Sequence, residues 1–280
     1  MKIAIQGYPA SYHAIAAETF FGSNAKLVPC DSFEEVFEGV KNNKVDYGVV
    51  AVENSLYGTI NEVYDLMHDN RVWICGEIFL RIEHCLIGNP SAKRKDITEV
   101  YSHPVALAQC RKYLDKQLKN AERFEHHDTA HSVIEIKQDG SKHKAAIASK
   151  QAAKLHSMHV IQKNIEDNHQ NYTRFFVLQK NKGQNGKANK TSLILKMPGD
   201  AKPGALLKAL EVFAKNNINI SMLHSRPIIG KAWHYMFYLD VNDGSHTDNL
   251  QNVINELNQQ GCSVEILGSY QSSKQIDTAD

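Results

Sequence analysis

Three places in the sequence put a hydroxyl or carboxamide at the end of an apolar run, just ahead of a helical pattern. Tyr47–Val52 leads into Glu53-Asn54-Ser55. Glu99–Tyr101 leads into Ser102-His103-Pro104, with Gln109 and Cys110 beyond. Arg123–Glu125 leads into His126-His127-Asp128-Thr129. Hydroxyls and free backbone N–H groups at the positive end of a helix hold anions, especially carboxylates and phosphates. The same residue types also serve as plain N-caps, and Ser55, Ser102 and Asp128 or Thr129 each fit that simpler role. A fourth cluster, Asn171-Tyr172-Thr173-Arg174-Phe175, adds a carboxamide, a hydroxyl and a guanidinium. Arginine suits bidentate carboxylate binding, although a capped turn with a surface arginine explains the cluster equally well by itself.

Other chemistries find less support. His127 and His131 have the spacing of a helical metal pair, but Asp128 between them reads as a helix cap, so no metal is expected. Gly7 and Ala10 lack the G-x-G-x-x-G spacing of a dinucleotide loop. The five cysteines form no CxxC pair, which predicts reduced thiols in a cytoplasmic setting and no structural zinc. In 280 residues, 32 Lys+Arg against 31 Asp+Glu leave a net charge of +1. Nucleic-acid binding goes with a basic surplus, so no such partner is expected. The best membrane candidate, Val72 to Gly88, is broken by Glu77, Arg81, Glu83 and His84, and a span needs ~18 apolar residues, so no membrane partner is expected.

The elements that must position these residues alternate. Strand patterns at Lys2–Gln6, Lys26–Val28, Tyr47–Val52, Val72–Ile87 (one or two strands), Glu99–Tyr101, Arg123–Glu125, Ala145–Ala148 and Arg174–Leu178 are separated by helical ones. The helices are Tyr12–Phe21, Phe33–Asn42, Ile60–His68, Val105–Lys116, Thr129–Gln138 and Lys150–Leu155. This β/α alternation predicts parallel sheets covered on both faces. The segment Lys180–Lys190 has four lysines, two glycines and no large apolar residue, the composition of a linker. After it come strand Ser192–Met197, helix Ala205–Lys215, strands Ile218–Leu223 and Trp233–Val241, helix Asp248–Gln259 and strand Val264–Leu267. That βαββαβ order is the ferredoxin-like arrangement. The tail after Tyr270 is polar.

Taken together, the chain resembles the prephenate dehydratases that carry a regulatory ACT domain. The likeness rests on Val52-Glu53-Asn54-Ser55-Leu56-Tyr57-Gly58, Ser102-His103-Pro104 with Gln109-Cys110, Asp128-Thr129-Ala130, and Asn171-Tyr172-Thr173-Arg174-Phe175, in that order. Pro203-Gly204-Ala205-Leu206 and Ser225-Arg226-Pro227 resemble the family's effector signatures. The resemblance implies two α/β lobes around a cleft, similar to periplasmic binding proteins, in residues 1–180, with the second lobe over about 78–160. A linker at 181–190 and an ACT domain at 191–272 follow. The chain departs from the family in the loop Gly7-Tyr8-Pro9-Ala10-Ser11-Tyr12-His13, where Ala10 and His13 are changes. It departs again at Val105, where glutamine is common, and at His224, where glutamate is common.

The implied reaction turns prephenate into phenylpyruvate, carbon dioxide and water, a carbon–oxygen lyase reaction without a cofactor. The resemblance assigns Thr173 to the leaving hydroxyl, as a preorganised hydrogen-bond donor or as a relay from a protonated Glu53. Asn54, Ser55, Ser102, Gln109, Thr129 and Asn171 are the implied neutral partners of the substrate, with Phe175 beside them. Arg174 either holds the spectator carboxylate or is structural. L-Phenylalanine is the implied effector, at Gly204, Ala205, Leu206, His224, Ser225 and Arg226. A histidine at 224 predicts inhibition that weakens as pH falls from about 8 to about 6. The near-continuous apolar run from Trp233 predicts a homodimer or homotetramer. Arogenate dehydratase and a non-catalytic amino-acid sensor are the two alternatives.

Overall fold

The computed structural model describes residues 1–183, 186–199 and 202–276. Gln184 and Asn185 of the expected linker, and the last four residues of the polar tail, lie outside them. The chain divides into two compact units. The first comprises Met1–Leu66, Ile78–Phe175 and Lys274–Asp280, and the second comprises Met67–Glu77 and Phe176–Ser273.

The first unit opens with β1 (Lys2–Gln6), α1 (Tyr12–Phe21), β2 (Lys26–Cys30), α2 (Phe33–Lys41), β3 (Tyr47–Asn54), β4 (Gly58–Thr59) and α3 (Asn61–Asn70). Local chemistry sets these bounds. Ser32 accepts from Glu35 N to start α2, Glu34 and Glu35 occupy its first turn, and Phe33, Val36, Phe37 and Val40 form its buried face. β1 pairs in parallel with both β2 and β3. β3 reads as an unbroken apolar run because it lies between β1 and β11 (Tyr172–Gln179). The unit boundary passes through α3, after Leu66, and through β5 (Trp73–Arg81) and β11.

Between β5 and β11 the chain builds a second lobe of the first unit. It contains β6 (Cys85–Gly88), β7 (Glu99–Ser102), α4 (Pro104–Gln109), α5 (Arg111–Gln117), β8 (Glu122–Glu125), α6 (Thr129–Asp139), β9 (Lys144–Ala148), α7 (Lys150–Leu155) and β10 (His159–Gln162). Its sheet has the order β10-β6-β9-β7-β8. Residues alternate between two cores: Leu86, Ala145 and Ile147 face α4 and α5, while Cys85, Ile87, Ala146 and Ala148 face α6 and α7.

Two expectations change here. The sheet is mixed rather than parallel, because β6 runs antiparallel to both β9 and β10. The expected single helix from Val105 to Lys116 is two helices, broken at Cys110 (φ −109°, ψ 14°). Asp167 makes the break: its N–H donates to the Gln109 carbonyl at 2.7 Å, and its carboxylate accepts from Lys112 N at 3.0 and 3.1 Å. Those contacts satisfy groups that would otherwise bond within one helix.

The second unit contains β12 (Lys190–Lys196), α8 (Ala205–Lys215), β13 (Ile220–Pro227), β14 (Tyr235–Val241), α9 (Asp248–Gln259) and β15 (Ser263–Tyr270). A short β16 (Gln275–Ile276) returns to the first unit, beside Phe79 and Leu80. The sheet order β13-β14-β12-β15 with two helices is the expected βαββαβ unit. Leu193, Leu195, Leu239 and Val241 pack against Ala209, Val212, Phe213, Leu250, Val253 and Leu257 of the helices. Gly268 stands opposite Ile74, where a Cβ would lie 2.2 Å from the Ile74 carbonyl oxygen, so only glycine lets these backbones meet. The linker reading ends before Lys190. That residue is buried as the first of β12, and its Nζ lies 3.1 and 2.9 Å from the two carboxylate oxygens of Glu77. No helix among the described residues is long and apolar enough to cross a membrane.

Candidate active site

The carboxyl ends of β1 and β3 and the amino end of β11 open onto a cavity of about 820 Å³, which the second lobe walls with residues around α4 and α6. Polar groups come from both lobes of the first unit, as expected of a site at strand ends.

Thr173 and Phe175 share the cavity face of β11. Asn54, at the end of β3, organises this side. Its Nδ2 donates to Asn171 Oδ1 at 2.8 Å, to Thr173 Oγ1 at 3.0 Å and to the Tyr172 carbonyl at 3.2 Å. Its Oδ1 accepts from Leu56 N and Tyr57 N. Because Asn54 donates to Thr173, the threonine's own proton is left for another acceptor. The donated bond also polarises the hydroxyl, strengthening the one it gives.

The opposite wall is a neutral polar network. His84 Nε2 lies 2.7 Å from Gln109 Oε1, and its Nδ1 lies 3.0 Å from the Tyr12 hydroxyl, which also donates to the Glu83 carbonyl. The His84 backbone N–H donates to Glu166 at 3.0 Å. Burial pushes Tyr12 well above the ordinary tyrosine value and pulls His84 below the ordinary histidine value, so both stay uncharged at neutral pH. His13 accepts from Ala51 N at 3.2 Å, and burial holds it down at about 4. His103 is lowered by burial too. It caps α4 by accepting from Val105 N at 3.3 Å.

Thr129 begins α6 at the cavity, and Asp128 caps that helix by accepting from His131 N at 2.8 Å. Burial raises the Asp128 carboxyl. Gly7 has φ +85°, and a Cβ there would lie 2.6 Å from Asp128 Oδ2, so the Gly7 loop needs glycine to reach this carboxylate. Ala10 also has a left-handed φ of 65°, and its carbonyl accepts from Ser149 Oγ at 2.8 Å. Among the described residues, no lysine or arginine lines the cavity.

Several expected site residues point elsewhere. Ser102 is fully buried and donates to the Ile147 carbonyl at 2.6 Å. The cap of α4 belongs to His103 instead. Ser55 donates to the Gln170 carbonyl and accepts from Tyr172 N, lacing its turn to the start of β11. Asn171 is fully buried behind Asn54. Arg174 lies on the face of β11 opposite Thr173, with its guanidinium 5.5 Å from the centre of the Phe79 ring. Glu53 does not line the cavity; its backbone pairs with Thr59 of β4. Tyr12, His13, His84, His103 and Asp128 line it without having been assigned to it. The strand-end rule that singled out Glu53–Ser55 applies equally to the loop after β1 and would have found Tyr12 and His13.

In the second unit, α8 begins at Gly204 (φ 86°), which no side chain caps. The Ala205 N–H donates to the Lys202 carbonyl. His224 and Arg226 share the half-buried face of the edge strand β13, and Ser225 faces the other way.

The sequence matches the family model of prephenate dehydratase over residues 3–183 and that of the ACT domain over 191–259. A bifunctional chorismate mutase/prephenate dehydratase of Aquifex aeolicus is 36% identical, over 96% of this chain and 73% of its own. Arogenate dehydratase 2 of Petunia hybrida is also 36% identical, over 99% and 73%. Among solved structures, a prephenate dehydratase from Arthrobacter aurescens in complex with L-Phe has a TM-score of 0.87 and 26% identity, covering 100% of this chain and 92% of its own. A protein described as a novel type of quorum-quenching acylase has a TM-score of 0.87 and 30% identity, covering 98% of both chains. The family model spans the cavity and every residue that lines it, and this chain belongs to the prephenate dehydratase family.

Proposed function

We propose that the cavity of the first unit carries out the decarboxylating dehydration of prephenate to phenylpyruvate, in the cytoplasm and in the service of phenylalanine synthesis. The Asn54–Thr173 hydrogen bond carries this reading, because it leaves a polarised threonine proton at the cavity wall. The ring C–O bond breaks as its oxygen takes a proton and departs as water. The C–C bond to the ring carboxylate breaks too, its electron pair completes the aromatic ring, and carbon dioxide leaves. One proton is consumed. Thr173 stabilises the departing oxygen with a strong hydrogen bond, since an alcohol is too weak an acid to serve as the final proton source. A relay from Glu53 has no support in the geometry, because Glu53 does not line the cavity. Thr129, at the start of α6, and Gln109 suit the carboxylates. Neutral donors orient them without pinning the carboxylate that must leave.

The relatives named for arogenate favour a second substrate reading on the same site, with an amino group in place of the keto group. Rates on the two compounds, followed as phenylpyruvate and phenylalanine, decide between them. Turnover of neither compound would overturn the function.

The complex of the Arthrobacter aurescens enzyme supports L-phenylalanine as an effector here, at the turn Gly204-Ala205-Leu206, where the Leu206 N–H at the uncapped start of α8 would receive its carboxylate while the Ala205 N–H stays on the Lys202 carbonyl. Apolar side chains left exposed on the second unit, Leu223 (45%), Trp233 (87%) and Tyr235 (44%), support a homodimer or homotetramer through this unit. The strand run that suggested assembly has a different account: Met236, Tyr238, Leu239, Asp240 and Val241 are all buried within the chain itself.

A further inference from the structure

At the start of α6, His126, His127 and His131 converge, and one ligand atom from each lies within 4.8 Å of the others. His126 Nδ1 and His131 Nδ1 face each other at 3.4 Å. Two nitrogens bound to one zinc ion at ~2.0–2.1 Å, at the tetrahedral angle, lie about 3.4 Å apart. The pair therefore already has the separation that a shared ion would set, while the two rings are stacked, with centroids 4.8 Å apart and 19° between their planes, so the rings must turn for both lone pairs to aim at one ion. On the far side of its ring, His126 Nε2 lies 2.7 Å from Glu135 Oε2. Glu135 Oε2 has no hydrogen-bond partner in this conformation, so a small turn of the His126 ring would aim the outer N–H at that carboxylate and the inner lone pair at a metal. The Tyr8 ring packs against His131, with centroids 4.7 Å apart, and covers one side of the cluster.

We propose that His126 Nδ1, His131 Nδ1 and one ring nitrogen of His127 form a binding site for a borderline divalent transition metal such as Zn²⁺, with Glu135 orienting His126 from behind. Three imidazoles leave one coordination position open. Imidazole sets of this kind select zinc, nickel or copper over magnesium or calcium. His127 also lines the cavity, so the ion would sit at its edge. The sequence shows only the i, i+4 pair interrupted by a cap. Folding adds His126, just ahead of the cap, and Glu135, one turn beyond His131. A simple N–H···N bond between the two Nδ1 atoms accounts for that pair but not for the third ring or the carboxylate behind it.

The test uses the full chain, stripped of metal by a chelator and titrated with ZnCl₂ by calorimetry and with CoCl₂ by visible absorption. One ion per chain is expected, with the absorption bands of four-coordinate cobalt. His126→Ala and His131→Ala should each abolish saturable binding, and Glu135→Gln should weaken it by about 10–100-fold. Far-UV circular dichroism checks that each variant is folded, and His127→Ala, at an exposed position, serves if either of the other two is not. No saturable binding to the wild-type chain, or equal binding in the histidine variants, would overturn the site. Dehydratase activity plays no part in this readout.

Discussion

The starts of α6 and α8 are helix N-termini finished in two ways, and each stands where the proposed function puts a carboxylate. At α6 the finish is side-chain rich. Asp128 caps the helix, Thr129 follows, and Gly7 reaches in under the carboxylate. At α8 there is only backbone, with Gly204 at φ 86° and no side-chain cap. A reacting substrate must be held with its leaving oxygen at one hydroxyl, so side chains locked by their own hydrogen bonds surround it. An effector needs only to be bound, and an open N–H suffices for that. Changes of side chain should therefore matter most in the first unit, and changes of backbone freedom most in the second.

The largest expected effect is at Thr173. Thr173→Val should lower kcat by about 10²–10⁴-fold with little change in KM, and Thr173→Ser should keep most of the activity. Near-normal kcat in a folded Thr173→Val enzyme would break the comparison at its first term.

Acid should expose the buried wall next. His13 titrates at about 4 in the folded chain and near ~6.5 when unfolded. As pH falls through that interval the unfolded chain takes up the proton first, so the stability is complete above about 6.5 and declines toward 4. The full gap is at most about 3 kcal/mol, and less for the part of the ring open to the cavity. Urea unfolding at several pH values should show a shallower decline for His13→Gln than for the wild type. Parallel declines would mean that His13 is not buried as a neutral ring.

Asp128→Ala should cost about 1 kcal/mol of stability through the lost cap, read as a lower urea midpoint, and it should raise KM for the substrate. The smallest effect on the enzyme itself is expected at Gly204. Gly204→Ala strains a left-handed residue by about 1 kcal/mol. It should leave uninhibited turnover intact while raising the phenylalanine concentration needed for half inhibition. An unchanged inhibition curve would remove α8 from the effector site.

Much of this was legible in the chain. The alternation of β1 through β3 with α1 and α2, the βαββαβ order of the second unit, and a junction at Thr129 all follow from short-range patterns. Spacing and capping chemistry act within a few residues. What spacing does not reveal is where a polar group's hydrogen bond goes. Ser102 and Thr129 occupy similar junctions, yet one hydroxyl is taken by the Ile147 carbonyl and the other meets the cavity. Asp167 splits the helix after Gln109 from far along the chain, and Glu166 holds His84 in the same way.

The sequence by itself determined the element types, the mostly neutral polar character of the site and the candidate hydroxyl at Thr173. Tertiary structure alone decided that Asn54 donates to Thr173, that Arg174 turns to the opposite face, that the second lobe's sheet is mixed, and that Glu135 backs His126. The reason is physical. Periodicity and caps are local, whereas a buried polar group takes whichever partner the packed chain brings within hydrogen-bond reach.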